Sequence, residues 1–89
     1  ATREQFAAIL SAALPDEALV AINHVTKIPD VNTSNPNYAA VIRLYNAGIL
    51  TGTDKNTGTF QPDATITREQ IAAMVTRVAD PSLRETVAF

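Results

Sequence analysis

The 89-residue sequence contains no cysteine and no tryptophan. Without cysteine the chain can form neither a disulfide framework nor a thiolate metal site. Charged residues make up 18% of the sequence, and their formal sum is -2. A nucleic-acid binder or an anionic-membrane binder usually carries a basic patch, so this balance argues against both classes. No apolar run approaches the roughly 20 residues that a membrane-spanning helix needs, so no membrane insertion is expected.

Catalytic and metal-binding patterns are also missing. His24 is the sole histidine, and no serine or cysteine nucleophile pattern stands beside it, so the parts of a catalytic triad are not supplied. Residues 54–58 match a calcium loop only weakly, because they lack a third oxygen ligand before the glycine and a bidentate acid at the right distance. We therefore predict a protein that is not an enzyme and that uses no metal and no cofactor.

One helix-opening motif occurs twice. Residues 2–10 read TREQFAAIL and residues 67–75 read TREQIAAMV, which indicates an internal repeat. In each copy the threonine and the glutamine three residues later form a capping box. Apolar residues at i, i+3, i+4 and i+7 then predict amphipathic helices. The first is expected to end near Leu14, and the second at Asp80-Pro81.

Two further helices are predicted between the copies. Pro15-Asp16-Glu17 starts a short one through about Ile22, since proline is tolerated in a first turn and acids favour the positive helix end. Asn35 as the cap and Pro36 as the first residue start the other. Apolar residues at helical spacing follow. Gly48 is placed to end that helix in a left-handed conformation.

The segments between these helices carry turn chemistry. Residues 23–35 and 50–63 combine short polar side chains with proline and glycine, and residues 81–89 look like a tail. The predicted fold class is therefore all-α, with short helices joined by long loops. Because Thr2 opens a helix at once, we expect the chain to be part of a longer protein. Domains of this size bury only about 60% of their unfolded surface and are marginal alone.

From residue 28 onward the chain resembles the S-layer homology (SLH) module of bacterial cell-surface proteins. The matching motifs are, in order, IPDV (28–31), YAAVIRLYNAGILTG (38–52), GTFQP (58–62) and ITREQIAAMVTRV (66–78). The resemblance divides the chain into the closing helix of a preceding repeat (1–14), a connector with a short helix (15–27), one near-complete SLH repeat (28–79) and a C-terminal tail (80–89).

The resemblance implies a non-catalytic anchor at the bacterial cell wall or S-layer, outside the cell. Such modules usually occur in threes, pack as a pseudo-threefold unit and bind secondary cell-wall polysaccharides attached to peptidoglycan. These polymers are often anionic and carry pyruvate ketals. The family's grooves lie between modules, so neighbouring repeats are implied partners. A principal contact is the arginine of a threonine-arginine-x-glutamate motif, which corresponds to Arg68 here and to Arg3 in the leading copy.

Arg68 and Arg3 each stand at a first helical position, where a cation beside the positive end of the helix dipole costs about 0.3–1 kcal/mol when exposed. Free amides and a guanidinium together suit a carboxylate or phosphate. With the resemblance, this predicts anionic sugar substituents against Arg68, Thr67 and the opening amides of the last helix, with Arg3 serving an adjacent groove. The alternative is inheritance by duplication, with each arginine solvated or paired to an acid.

Two loop residues are further candidate contacts. Asp30 could bond a sugar hydroxyl or loop amides, or simply form a turn after a proline. Gly52 could let a ligand approach the backbone, or serve a turn that needs positive φ. The chain also departs from the family pattern in two places. Asn35-Pro36 stands where the family usually has His-Trp, and glutamine stands where the motif of the family has glutamate. A second hypothesis is therefore a structural module that packs with sister repeats or self-associates without binding glycan.

Overall fold

A computed structural model describes residues 1–51 and 59–87. These residues form three α-helices, α1 (Arg3–Ala13), α2 (Tyr38–Asn46) and α3 (Arg68–Ala79). Single 3-10 turns, Asp16–Ala18 and Pro81–Leu83, follow α1 and α3. The described residues contain isolated β-bridges but no strand, so the predicted all-α class with long loops is confirmed. No helix in the two described ranges has the length and apolar character needed to cross a membrane.

Both copies of the repeated motif open helices as the sequence predicts. The Thr2 hydroxyl accepts from the Gln5 amide at 3.1 Å, and Gln5 Oε1 accepts from the Thr2 amide at 3.0 Å. Thr67 and Gln70 make the same pair of bonds at 3.2 Å and 3.0 Å. Each box satisfies amides that a helix start leaves without an intrahelical partner. The starts of α1 and α3 are therefore set by local sequence.

The helix predicted from Pro15 to about Ile22 is wrong in its extent. Only a three-residue 3-10 turn forms, Asp16–Ala18. Residues 19–27 then form no helix or strand, and the amides of Ile22 and Asn23 both donate to the Asn46 carbonyl, at 2.7 Å and 3.0 Å. Long-range bonds to the end of α2 replace the bonds that would have continued a helix.

Helix α2 begins at Tyr38, two residues later than the predicted start at Pro36. The Asn35 side chain accepts from the Asn37 amide at 2.8 Å, which makes an Asx turn rather than a helix cap. The Asn35 carbonyl then accepts from the Tyr38 amide at 3.0 Å. At its other end α2 stops as predicted, since Gly48 has φ of +78°.

The core lies between α2, residues 23–35 before it, and the described part of the loop after it. Phe60 packs edge-on against Tyr45, with ring centroids 6.1 Å apart and an interplanar angle of 72°. Residues 23–35 have little regular structure, as predicted, yet they supply core residues, since Val25, Ile28 and Val31 are buried. The largest fully buried side chains are Tyr45, Phe60, Ile28, Leu44, Ile49 and Val41.

Residues 84–87, predicted as part of a tail, instead lie against the rest of the chain as a C-terminal strap. The Glu85 amide donates to the Gly48 carbonyl at 3.0 Å. The Asn23 side chain, 5% exposed, donates to the carbonyls of Tyr45 at 3.0 Å and Glu85 at 3.1 Å, and accepts from the Val87 amide at 3.0 Å. One asparagine can hold an extended segment in this way because its amide both donates and accepts.

Candidate functional site

A cleft, called here the α1–α3 cleft, lies where the start of α1 meets α3. It encloses about 230 Å³. Leu50 and Thr51, which follow α2, also line it. Its described lining residues are Arg3, Leu50, Thr51, Glu69, Gln70, Ala73, Met74 and Arg77.

Backbone pairing joins the two copies of the repeated motif at this cleft. Thr2 and Thr65 form an antiparallel bridge. The Arg3 amide donates to the Ala64 carbonyl at 2.9 Å, and the Ile66 amide donates to the Ala1 carbonyl at 3.1 Å. The first residue of α1 is thereby fixed beside the segment that enters α3.

Arg3 is a buried cation in the wall of the cleft, only 5% exposed. Its Nε donates to the Phe60 carbonyl at 2.7 Å, and its guanidinium carbon lies 5.0 Å from the Phe60 ring centroid, within cation–π range. Burial lowers the pKa of Arg3 below its ordinary value, while Tyr45 and Asp30 act in the opposite direction. Within the described residues no acid forms an ion pair with Arg3. An anion in the cleft would therefore offset the desolvation of this charge.

A second guanidinium, that of Arg77, lines the same cleft. Arg77 Nη1 donates to the Ile49 carbonyl at 2.9 Å, and Nη2 lies 3.3 Å from Glu85 Oε2. Glu69 is the one carboxylate among the described lining residues. Two cations against one lining carboxylate favour an acidic ligand, although Glu85 partly neutralises Arg77.

Arg68, the principal site residue expected from the resemblance, lies at the first residue of α3 and is exposed. Its side chain makes no hydrogen bond or ion pair with any described residue. Thr67, beside it, has its hydroxyl engaged in the helix cap. Neither residue is part of the described lining of the α1–α3 cleft. The structure thus separates Arg68 from Arg3, which share a motif but not an environment.

Asp30 bonds loop amides, which is one of the alternatives that the sequence left open. Its Oδ1 accepts from the Phe60 amide at 2.9 Å, and its Oδ2 accepts from the Gln61 amide at 2.7 Å. Gln61 has φ of +58°, a conformation that is costly for a residue with a side chain. Asp30 stabilises this turn and so positions the Phe60 carbonyl that Arg3 contacts. Gly52 lies outside the described residues.

Sequence reasoning missed Arg77 as a cleft residue. Residues 70, 73, 74 and 77 stand at i, i+3, i+4 and i+7, which places them on one face of α3. That spacing was available from the sequence. What the sequence could not supply is the opposite wall, because Arg3 and Thr51 reach α3 only through long-range packing.

Comparison with known proteins gives two matches. The family profile of the S-layer homology domain matches residues 27–72. An endoglucanase of Bacillus sp. (strain KSM-635) is 40% identical over 76 residues, which are 85% of this chain and 7% of that protein. The chain therefore spans only a small part of the length of this relative. No solved structure gives a significant match.

Proposed function

The chain belongs to the S-layer homology domain family, and on that premise we propose that it holds a larger protein on the bacterial cell wall by binding an anionic secondary cell-wall polysaccharide attached to peptidoglycan. A cell-surface location follows from the family. The observation that carries the glycan site is the α1–α3 cleft, where a buried arginine without an acidic partner among the described residues meets a second guanidinium.

The proposed ligand is one acidic sugar of the polymer. The cleft volume of about 230 Å³ is below the range of about 300–1,000 Å³ that is usual for drug-sized ligands. A carboxylate, such as that of the pyruvate ketals that the family resemblance implies, would lie between Arg3 and Arg77. Thr51 and Gln70 supply polar groups beside it. No step of catalysis is proposed, because binding alone suffices for an anchor.

The start of α3 is a second proposed contact surface for the polymer, and it contains most of the other predicted contacts. Arg68, Thr67 and the opening amides of α3 would contact anionic substituents outside the cleft. Gly52, which lies outside the described residues, stays a predicted contact of the ligand. Asp30 would act indirectly, since both of its oxygens already accept amide protons. The α1–α3 cleft is the stronger candidate because both of its walls are present in this chain.

Replacing Gln70 by glutamate should weaken binding of the anionic polymer. Glutamate completes a capping box as well as glutamine does, so the fold is expected to be retained. The added charge lines the cleft, and two unit charges about 6 Å apart in water interact by about 0.7 kcal/mol, which corresponds to about a threefold loss of affinity. Binding of the chain to isolated cell walls at low ionic strength measures this loss.

The matched control is the replacement of Gln5 by glutamate. Gln5 makes the same capping box at α1 but is not among the described residues that line the cleft. It should leave binding unchanged. Equal binding losses in the two variants, or no loss in either, would remove the cleft from the site while leaving the family assignment intact.

A structural role without glycan binding is the second candidate function. The observation favouring it is a contact between repeats, because α1 closes the leading repeat and α2 belongs to the next one. Arg43 Nη1, on α2, donates to the Ser11 carbonyl, on α1, at 2.8 Å. Asn35-Pro36 in place of the family's His-Trp points the same way, because it removes an aromatic surface for sugar stacking. Under this role the chain would associate with sister repeats or with itself and would ignore the polymer.

A further inference from the structure

One side chain of the C-terminal strap reaches a cation of the α1–α3 cleft. Glu85 Oε2 lies 3.3 Å from Arg77 Nη2, while Arg77 Nη1 donates to the Ile49 carbonyl at 2.9 Å. A guanidinium carries five N–H donors, so Arg77 keeps donors for a ligand while Glu85 stays in place. An anion bound to Arg77 would then share one guanidinium with the Glu85 carboxylate, which has the same sign of charge.

The backbone of the strap holds Glu85 in this position. Its amide donates to the Gly48 carbonyl at 3.0 Å, and its carbonyl accepts from the Asn23 side chain at 3.1 Å. Glu69, the carboxylate among the described lining residues, is instead exposed in the first turn of α3. Water screens the charge of Glu69, and its side chain can turn away from a ligand. Glu85 is therefore the acid that is held more firmly beside the cleft.

The fixed charges around the cleft nearly cancel. Its two lining arginines are matched by the carboxylates of Glu69 and Glu85. Asp30 supplies a further carboxylate behind Arg3, because it accepts from the Phe60 amide while Arg3 donates to the Phe60 carbonyl. Among the described residues, three carboxylates thus lie near two cations, and the cleft offers little net positive charge to a ligand.

The charge of a ligand affects its binding free energy in two ways. The Coulomb interaction with each fixed charge is proportional to the charge of the ligand. The Born cost of removing the ligand from water instead rises with the square of that charge. Where the fixed charges nearly cancel, the cost of removal from water decides, and it favours a singly charged ligand over a doubly charged one.

We propose that the α1–α3 cleft selects sugars with a singly charged carboxylate over sugars with a doubly charged phosphate, and that Glu85 sets this selectivity. The inference rests on the proposed function of the cleft and adds the charge of its ligand. At a given distance, Glu85 repels a doubly charged group twice as strongly as a singly charged one. It acts through its charge beside Arg77 and needs no contact with the ligand.

Two sugars that differ at carbon 6 test the proposal. Glucuronate carries one negative charge, and glucose 6-phosphate carries about two at about pH 8, because the second pKa of a phosphate monoester is about 6. NMR titration of the isotope-labelled chain at constant ionic strength measures both affinities, from the amide signals of Thr51 and Ala73 in the cleft lining. The natural chain should bind glucuronate more tightly than glucose 6-phosphate.

Glu85→Gln removes the charge and keeps an oxygen that can accept from Arg77. The loss of one unit charge about 7 Å from a bound anion in water should strengthen glucuronate binding about threefold and glucose 6-phosphate binding about ninefold. The ratio of the two affinities should therefore move about threefold towards the phosphate. A substitution that merely loosened the strap would change both affinities by the same factor.

The matched control is Glu17→Gln, which makes the same change in net charge at an exposed residue outside the described lining of the cleft. It should leave both affinities unchanged. Equal factors for the two sugars in Glu85→Gln, no change in either, or tighter binding of glucose 6-phosphate by the natural chain would overturn the selectivity but not the cleft. If glucuronate did not shift the cleft signals of the natural chain, the cleft and the selectivity would both be overturned.

Discussion

Replacing Phe60 by alanine is expected to lower the free energy of unfolding by about 3–5 kcal/mol, the range for truncating a fully buried aromatic side chain. Phe60 is 0% exposed, packs edge-on against Tyr45 and carries the Arg3 guanidinium on its ring. The substitution leaves a cavity beneath a desolvated cation. A domain of this size has only a few kcal/mol of stability, so the variant should be largely unfolded at 25 °C.

Urea unfolding followed by circular dichroism measures this loss. Phe60→Leu fills part of the same volume and should cost less than the alanine variant, although it removes the aromatic contact with Arg3. Ile9→Ala is the exposed control, since Ile9 is 66% exposed and should change stability by about 0.5 kcal/mol or less. A loss below about 1 kcal/mol for Phe60→Ala would show that Phe60 is not the centre of the core.

Replacing Gly48 by alanine should destabilise the chain by about 2–5 kcal/mol, from left-handed strain of about 1–2 kcal/mol and overpacking of about 1–3 kcal/mol. Gly48 has φ of +78°, and an added Cβ would lie 2.7 Å from Ile22 Cδ1 and 2.9 Å from the Glu85 carbonyl oxygen. That oxygen accepts from the Asn23 side chain and cannot withdraw freely. Relief of the clash therefore requires the C-terminal strap to move, which breaks its bonds to Gly48 and Asn23.

Gly48→Asn separates the two causes. Asparagine tolerates the left-handed region better than alanine does, but it brings the same Cβ. If the contact with the strap dominates, the asparagine variant should lose nearly as much stability as the alanine variant in thermal unfolding. An asparagine variant as stable as the natural chain would mean that the strap is not held closely against Gly48.

The helix starts and the class of the fold could be predicted because they depend on residues close in sequence. Thr67 and Gln70 form their cap within three residues, and Gly48 ends α2 by its own conformational freedom. The sequence pattern predicts the start of α2 two residues too early, since Asn35 bonds the Asn37 amide instead of capping a helix. The Asn35 side chain could form either an Asx turn or a helix cap, and the sequence pattern does not distinguish the two.

The strap and the cleft could not be predicted, because both depend on contacts between distant residues. Asn23 reaches Glu85 and Val87 across more than 60 positions, with no hydrophobic pattern to indicate the pairing. The shared motif predicts the same role for both of its arginines, yet Arg3 is buried against Phe60 while Arg68 is exposed. The burial of Arg3 depends on Phe60, which is 57 residues away in sequence and lies outside the motif.

The anchoring role is tested most directly by sedimenting the natural chain with purified cell walls that carry the secondary polysaccharide. The same walls, after chemical removal of that polymer, serve as the reference. We expect the chain to sediment with the intact walls, to be released as ionic strength rises because salt screens an ionic contact, and to remain in solution with the stripped walls. Equal sedimentation with both preparations, or with neither, would contradict the proposed function.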